Sequence, residues 1–341
     1  MKKKYGFIAI ALLAIGCGRE EKMDTVEEIP IVVNSLNLEE SLGRAYDLEL
    51  VNNYLVLRDD QVDTKLTLFD LEAKNLFALY TGYRGQGPGE LMNPGPIITE
   101  KNGFSVYDGS KMKLLSFQLD SIEREDYRPE EKMGIEEVGV IDVKKITDDK
   151  LLAVGVFPEN RFLLIDQKGK TIAKFGDYPI DSDDNTPAHV LGIACQSMLT
   201  TNLERNMVAT AMRYAEHIQF HQFNENESTL NLVKEHQVFL PEYTTNDQNG
   251  GVNFRPTEET RWGYLSVSSN ADYVYALYSG KFQIPGTDFY QGNEVHVFDW
   301  KGNLVKKLIL DKPSLSITCN ETQLFTLYEA KDGYDIAEYT F

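Results

Sequence analysis

Five histidines (His189, His217, His221, His236, His296), two internal cysteines and a surplus of acids are the side chains here that could do chemistry. His217 and His221 are four apart, the interval that puts two imidazoles on one helix face in zinc proteases. The stretch alternates as a strand, however, and no Glu stands in the second place of that motif. Residues four apart on a strand still share a face, so the pair reads as solvent-exposed strand histidines, with a partial metal site as the alternative. Asp181-Ser182-Asp183-Asp184-Asn185 opens like a calcium loop. Thr186 stands where an EF-hand needs Gly, and Gly192 where it needs the bidentate Glu. A solvated acidic loop is the reading, with a looser Ca²⁺ site as the alternative, and no other cofactor is expected. The run Gly85-Gln86-Gly87-Pro88-Gly89-Glu90 has no Gly-Lys-Ser/Thr and no helix pattern after it, so it is not a phosphate loop. Pro88 and Pro94 would break the helix that a dinucleotide site needs; a turn between strands remains. No Gly-x-Ser-x-Gly elbow occurs, and acids are too abundant for sequence to single out a glycosidase pair.

Cysteine chemistry is clearer. After Met-Lys-Lys-Lys, residues 5–15 are uncharged and almost wholly apolar. Gly16 and Cys17 follow, and charge returns at Arg19. This is the order of an export signal, about half the roughly 20 residues of a spanning helix. Leu13-Ala14-Ile15-Gly16-Cys17 resembles the bacterial lipobox, in which the signal is cut before Cys and the thiol becomes a lipid thioether. Multiple acyl chains, at about 0.8 kcal/mol per buried CH₂, would anchor the protein firmly in a bilayer. Gly18 rather than Asp at the next position favours the outer membrane, and Arg19-Glu20-Glu21 resembles the tag of surface-exported Bacteroidetes lipoproteins. Surface display is therefore favoured over the periplasmic face. Thr25, in Asp24-Thr25-Val26, fits a short O-glycosylation triplet, as does Asp120-Ser121-Ile122. Cys195 and Cys319 sit among apolar or small neighbours and read as separate buried thiols, with a disulfide as the alternative. No Cys/His cluster has zinc spacing.

The chain of 341 residues has net charge −19, and loss of a 1–16 signal with its three lysines takes it to −22. So acidic a body repels nucleic acid and anionic headgroups, which excludes a nucleic-acid role. No Pro/Gly/Ser-rich linker divides it. The organisation expected is a signal peptide over 1–16, a lipidated flexible tether over 17–28 and one domain over 29–341.

The elements that must position these residues are strands. Short β-branched or aromatic runs separated by turns recur from Tyr54-Leu55-Val56-Leu57 to Tyr334–Tyr339, in about six sets of roughly 40–60 residues. Two sets align over a hairpin: Asp166-Gln167-Lys168-Gly169 matches Asp299-Trp300-Lys301-Gly302. Each Gly can take positive φ, and each Asp can bond the turn's amides. The last set is one strand short, so Ile29-Pro30-Ile31-Val32-Val33 is expected to complete it and close a ring, removing exposed edges.

The segment Gly85-Gln86-Gly87-Pro88-Gly89-Glu90-Leu91 resembles the G-x-GPGE(F/Y/L) run of six-bladed, TolB-like and NHL-like β-propellers. There it follows an outer strand and leads into the next blade. Asp272–Gly280 followed by Val295–Asn303 is similar to the propeller lipoproteins of Bacteroidetes. The resemblance implies an all-β, six-bladed propeller with a lipid anchor, in which Gly85, Gly87, Pro88, Gly89 and Glu90 are structural. It implies no shared reaction, because propellers host many functions. The run occurs once here, whereas NHL repeats often carry it several times.

Propellers bind at the channel mouth or on one loop-bearing face. The longest non-strand stretches, about Pro241–Trp262 and Gly280–Asn293, hold aromatic and basic residues of the kind that anchor partners. Phe254, Arg255, Trp262 and Lys281, together with Tyr278 at the end of the strand before the second stretch, are the candidate ligand contacts. The alternative is that these aromatics only pin the loops. The functional expectation is a non-enzymatic binding or scaffold lipoprotein recognising an envelope protein or a glycan. The alternative is a hydrolase or lyase acting on extracellular polysaccharide.

Overall fold

The computed structural model describes residues 26–36, 42–73, 78–124, 126–180, 186–248 and 251–341. Cys17, Thr25 and the Asp181–Asn185 loop lie outside them. Strands β1 (Glu27–Ile31) and β2 (Asn34–Ser35) come first. Blade one is β3 (Ala45–Val51), β4 (Tyr54–Asp59), β5 (Thr64–Asp70) and β6 (Ala78–Tyr83). Blade two is β7 (Pro94–Glu100), β8 (Gly103–Asp108), β9 (Lys113–Gln118) and β10 (Glu130–Gly134). Blade three is β11 (Val140–Lys145), β12 (Lys150–Gly155), β13 (Phe162–Asp166) and β14 (Thr171–Phe175). A short helix α1 (Ala188–Ala194) leads into blade four, which is β15 (Ser197–Asn202), β16 (Met207–Met212), β17 (Glu216–Asn224) and β18 (Thr229–Phe239). A separate hairpin, β19 (Tyr243–Gln248) and β20 (Gly251–Pro256), precedes blade five. Blade five comprises β21 (Tyr264–Ser269), β22 (Tyr273–Tyr278), β23 (Gly292–Asp299) and the first half of β24 (Leu304–Cys319). The second half of β24 starts blade six, followed by β25 (Gln323–Ala330) and β26 (Gly333–Thr340).

Each blade is an antiparallel meander, and the first strands of successive blades lie side by side in the order β3, β7, β11, β15, β21, second half of β24, and β3 again. The core repeats with the same period. Val51, Val56, Leu66 and Leu68 of blade one pack on Phe104, Val106, Leu115 and Phe117 of blade two. Comparable clusters join two to three, three to four, four to five and five to six. The ring closes where Leu48, Leu55, Leu57 and Phe69 meet Phe325, Leu327 and Ile336. Each buried Leu or Phe contributes about 1.5–3 kcal/mol, so these apolar seams between blades hold the sheets together.

The N-terminal strand departs from expectation. Ile29–Ile31 pairs parallel to Leu308–Leu310 on the outer edge of blade five, and only Asn34–Ser35 pair with β26 of blade six. Pro30 has no N–H to give a central ladder. On this edge its neighbours Ile29 and Ile31 pack against the core between blades five and six. The matched hairpins form as read: Gly169 and Gly302 have φ near +80°. Asp166 accepts from the amides of Lys168 and Lys170, and Asp299 from those of Lys301 and Asn303.

Candidate functional site

The innermost strands wall a central channel, and alternation along them turns polar side chains inward. On β3, Asp47 and Glu49 line it while Leu48 contributes to the core. On β11, Asp142 and Lys144 do so while Val143 is buried. Ser266 of β21 enters from the opposite wall, Arg58 comes from β4 and Arg213 from the turn after β16. Most of these groups rivet blades together. Arg58 pairs with Asp47 at 2.5 Å, and the Ser316 hydroxyl donates to the same carboxylate. Lys144 joins Glu49 at 2.6 Å and donates to the Ile97 carbonyl at 3.0 Å, linking blades three, one and two. Asp142 accepts from the Leu199 amide of blade four at 2.6 Å. The Ser266 hydroxyl lies 3.1 Å from that of Ser316 and accepts from the Ile317 amide.

Electrostatics follow from this. Burial pushes the Asp47 carboxyl up, but Arg58 and Ser316 outweigh it and hold it below the usual range. Burial raises Glu49 and Asp142 despite Lys144. Arg213 differs. Among the described residues its guanidinium makes no hydrogen bond or ion pair, whereas Arg58 pairs with Asp47; the Nε atoms of both are buried and unsatisfied. Burial lowers its pKa, and its guanidinium carbon lies over the Trp262 ring, 5.4 Å from the ring centre.

The channel, a cavity of about 260 Å³, opens into a wider mouth of about 410 Å³ lined by Arg44, Tyr46, Arg213, Trp262, Tyr290 and Tyr334. Strand alternation puts the starts of the inner strands, the links between blades and the turns between second and third strands at this end. The long stretches 240–263 and 279–291 therefore belong to the mouth's face. Trp262 lines the mouth and is braced by Tyr214, Phe289 and a hydrogen bond to Gln283. Phe254 stacks between Tyr243 and Tyr214, tying the β19–β20 hairpin to Trp262 through Tyr214. Arg255 is exposed on β20. Lys281 spends its ammonium on the carbonyls of Asp288 and Gln291 in its own loop. Tyr278 is buried, stacked on His296 at 4.7 Å and donating to Glu216 at 2.6 Å. The structure thus gathers Phe254 and Trp262 near the mouth, and turns Lys281 and Tyr278 to bracing.

The glycine run links β6 to β7. Glu90 accepts from the Gly87 amide at 2.8 Å, and a Cβ on Gly85 would sit 2.0 Å from that carboxylate oxygen. Lys111 donates to the carbonyls of Gly87 and Glu90 at 2.7 Å each. The histidines correct the sequence reading: His217 and His221 are buried rather than solvent-exposed, because β17 is an interior strand between β16 and β18. His217 meets Glu235 at 3.3 Å and the Met212 sulfur at 3.0 Å. No cluster of metal-ligating side chains is present among the described residues. Cys195 and Cys319 are separate buried thiols, pushed up to about 12 by burial. The channel set Asp47, Glu49, Arg58, Asp142, Lys144 and Arg213 was missed in sequence. Its one signal is charge at alternate positions, Asp-Leu-Glu and Asp-Val-Lys, on strands that open a blade.

Solved structures share this fold at low identity. A member of the DUF4221 family from Bacteroides vulgatus is 10% identical with a TM-score of 0.55, covering 90% of this chain and 96% of its own. A putative exported protein from Bacteroides fragilis is 10% identical with a TM-score of 0.54, covering 92% and 99%. A protein of unknown function from Bacteroides thetaiotaomicron, also 10% identical, has a TM-score of 0.52 and covers 92% and 74%. No curated protein matches the chain in sequence. The sequence model of the TolB-like 6-blade propeller-like family matches residues 28–322, from the N-terminal strand through blades one to five and the first strand of blade six, and the chain belongs to that family.

Proposed function

We propose that this protein is an exported, lipid-anchored binding module that recognises an envelope protein or a glycan at the mouth of its propeller channel. The observation that carries the reading is the convergence on one end of the ring: the wider cavity, the long loops, an aromatic wall and an unpaired arginine share it. Concave sites that combine apolar walls with a few polar groups are where ligands bind. The anchor rests on the signal-like 1–16 segment with Cys17 after it, and the outer membrane on Gly18. A fold neighbour described as a putative exported protein of Bacteroides fragilis agrees with an envelope location. Among the described residues no helix is long and apolar enough to cross a membrane.

The channel acids favour binding over a hydrolase or lyase. Asp47, Glu49 and Asp142 each hold another blade through a hydrogen bond or ion pair. A general acid must instead reach a substrate oxygen. The test has two parts. Cys17→Ser should move the protein from the membrane fraction to the soluble one; retention in the membrane would refute the lipid anchor. Tagged protein extracted from native membranes in mild detergent should capture its ligand, and Tyr46→Ala at the mouth should reduce that capture. Unchanged capture would place the binding face elsewhere.

A further inference from the structure

We propose that the mouth takes an acidic sugar, whose carboxylate or sulfate pairs with Arg213 while its ring lies on the aromatic wall of Tyr46, Trp262 and Tyr290. This rests on the mouth being the binding face and goes further, to ligand class. The pairing of cations inside the channel carries it: three acids, Asp47, Glu49 and Asp142, face three cations, Arg58, Lys144 and Arg213, yet one cation is left without an ion pair among the described residues. The other two channel cations are matched, Arg58 by Asp47 at 2.5 Å and Lys144 by Glu49 at 2.6 Å. Among the described residues Arg213 has no carboxylate within hydrogen-bonding distance, and its Nε, like that of Arg58, is buried without a partner. The mouth's acid, Glu329, is held by Gln291 at 2.8 Å.

A charge withdrawn from water without a partner is unfavourable, and a buried group that the protein leaves unsatisfied is one that an ion or ligand can complete. The guanidinium fork matches a carboxylate or sulfate with two parallel hydrogen bonds. With Arg44 also lining it, the mouth is locally basic in a chain of net charge −19. Anions are repelled elsewhere and drawn here. The volume, about 410 Å³ above a channel of about 260 Å³, suits one or two sugar units rather than a folded partner. Flat aromatic faces suit the apolar face of a pyranose.

The test is calorimetric titration and thermal shift on the full chain in mild detergent, with galacturonic acid, galactose 6-sulfate, galactose, sodium sulfate and an acidic peptide as probes. The expected result is saturable binding of the two acidic sugars, about tenfold or more tighter than galactose or free sulfate. Arg213→Met should abolish that preference without lowering Tm. Arg205→Met, at the far end of blade four where Arg205 pairs with Asp272 at 2.9 Å, should leave it intact. Galactose binding as tightly as the acids, with Tyr46→Ala weakening both, would overturn the acidic class but keep the mouth as the binding face. Acidic sugars binding unchanged to both Arg213→Met and Tyr46→Ala would overturn both readings. Silence of every sugar, or binding of the acidic peptide alone, would overturn the sugar assignment.

Discussion

The interface between blades three and four and the mouth of the channel each hold an arginine without a carboxylate partner among the described residues, and their surroundings differ. Arg161 is 2% exposed and closed in. Its terminal nitrogens donate to Gln219, to Ser197 at 3.0 Å and to Thr210 at 3.4 Å, all neutral acceptors, while its Nε, like that of Arg213, is buried without a partner among the described residues. Burial lowers its pKa to about 10. Burial, followed by the charge of Arg161, pulls neighbouring His221 down to about 3, and among the described residues the His221 Nδ1 has no partner. Arg213 has no such cage and opens on a cavity. A charge wrapped by neutral acceptors works as a fixed hydrogen-bond hub of the fold, whereas a charge facing a cavity is left for something else to complete.

The contrast is sharpest in stability. Arg161→Ala removes a large buried side chain and strands the Gln219 carbonyl oxygen. The expected loss is about 3–4 kcal/mol in urea unfolding; a loss below about 1 kcal/mol would mean the cage does not hold the interface. Within the channel, Lys144→Met leaves Glu49 and Asp142 buried without their cation, an expected loss of about 3 kcal/mol at neutral pH. Burial already raises the Glu49 carboxyl. It should take up a proton in the variant as pH falls, so the gap to the parent protein should narrow toward pH 5. A gap independent of pH would show that Lys144 acts through packing.

The His221 prediction concerns slope rather than size. Its folded pKa of about 3 lies below the unfolded value of about 6.5, so the unfolded chain binds the proton first. The stability from keeping His221 neutral is fully present above pH 6.5 and is lost as pH falls toward 3, by up to about 1.4 kcal/mol per pH unit. His221→Leu should flatten the acid limb between pH 6 and 4. Equal slopes would mean that the imidazole is hydrated or charged in the folded state.

Much of the fold could be read from the sequence because its signals are local. Each hairpin carries its own Asp and Gly, as at Asp166 to Gly169 and Asp299 to Gly302, and each strand its own apolar run. The channel could not be read this way. Its pairs join residues far apart in the chain, 95 positions between Glu49 and Lys144 and 269 between Asp47 and Ser316, and only the ring geometry brings them together. Burial was misjudged for the same reason. His217 and His221 alternate as though one face met solvent, yet blades pack face to face, so an interior strand is covered on both sides. Tyr278 and Lys281 read as ligand contacts because sequence shows a residue's neighbours along the chain, while the partners of their polar groups are set by strand pairing and loop closure.

The smallest expected effect separates the two arginines most cleanly. Arg213→Met keeps most of the aliphatic stem and removes a guanidinium that satisfies no protein acceptor among the described residues. What it gives up is the contact with the Trp262 face, worth about 0.5–1 kcal/mol at a partly exposed site. What it relieves is the desolvation of an unpaired charge, of opposite sign and similar size. The two should nearly cancel, leaving stability within about 0.5 kcal/mol of the parent, against several kcal/mol for Arg161→Ala. Paired urea titrations in ligand-free buffer would measure it. A loss on the scale of Arg161→Ala would mean that Arg213 is a structural hub like its counterpart. A change near zero, with the same variant losing its ligand, would place the difference between the two arginines in function.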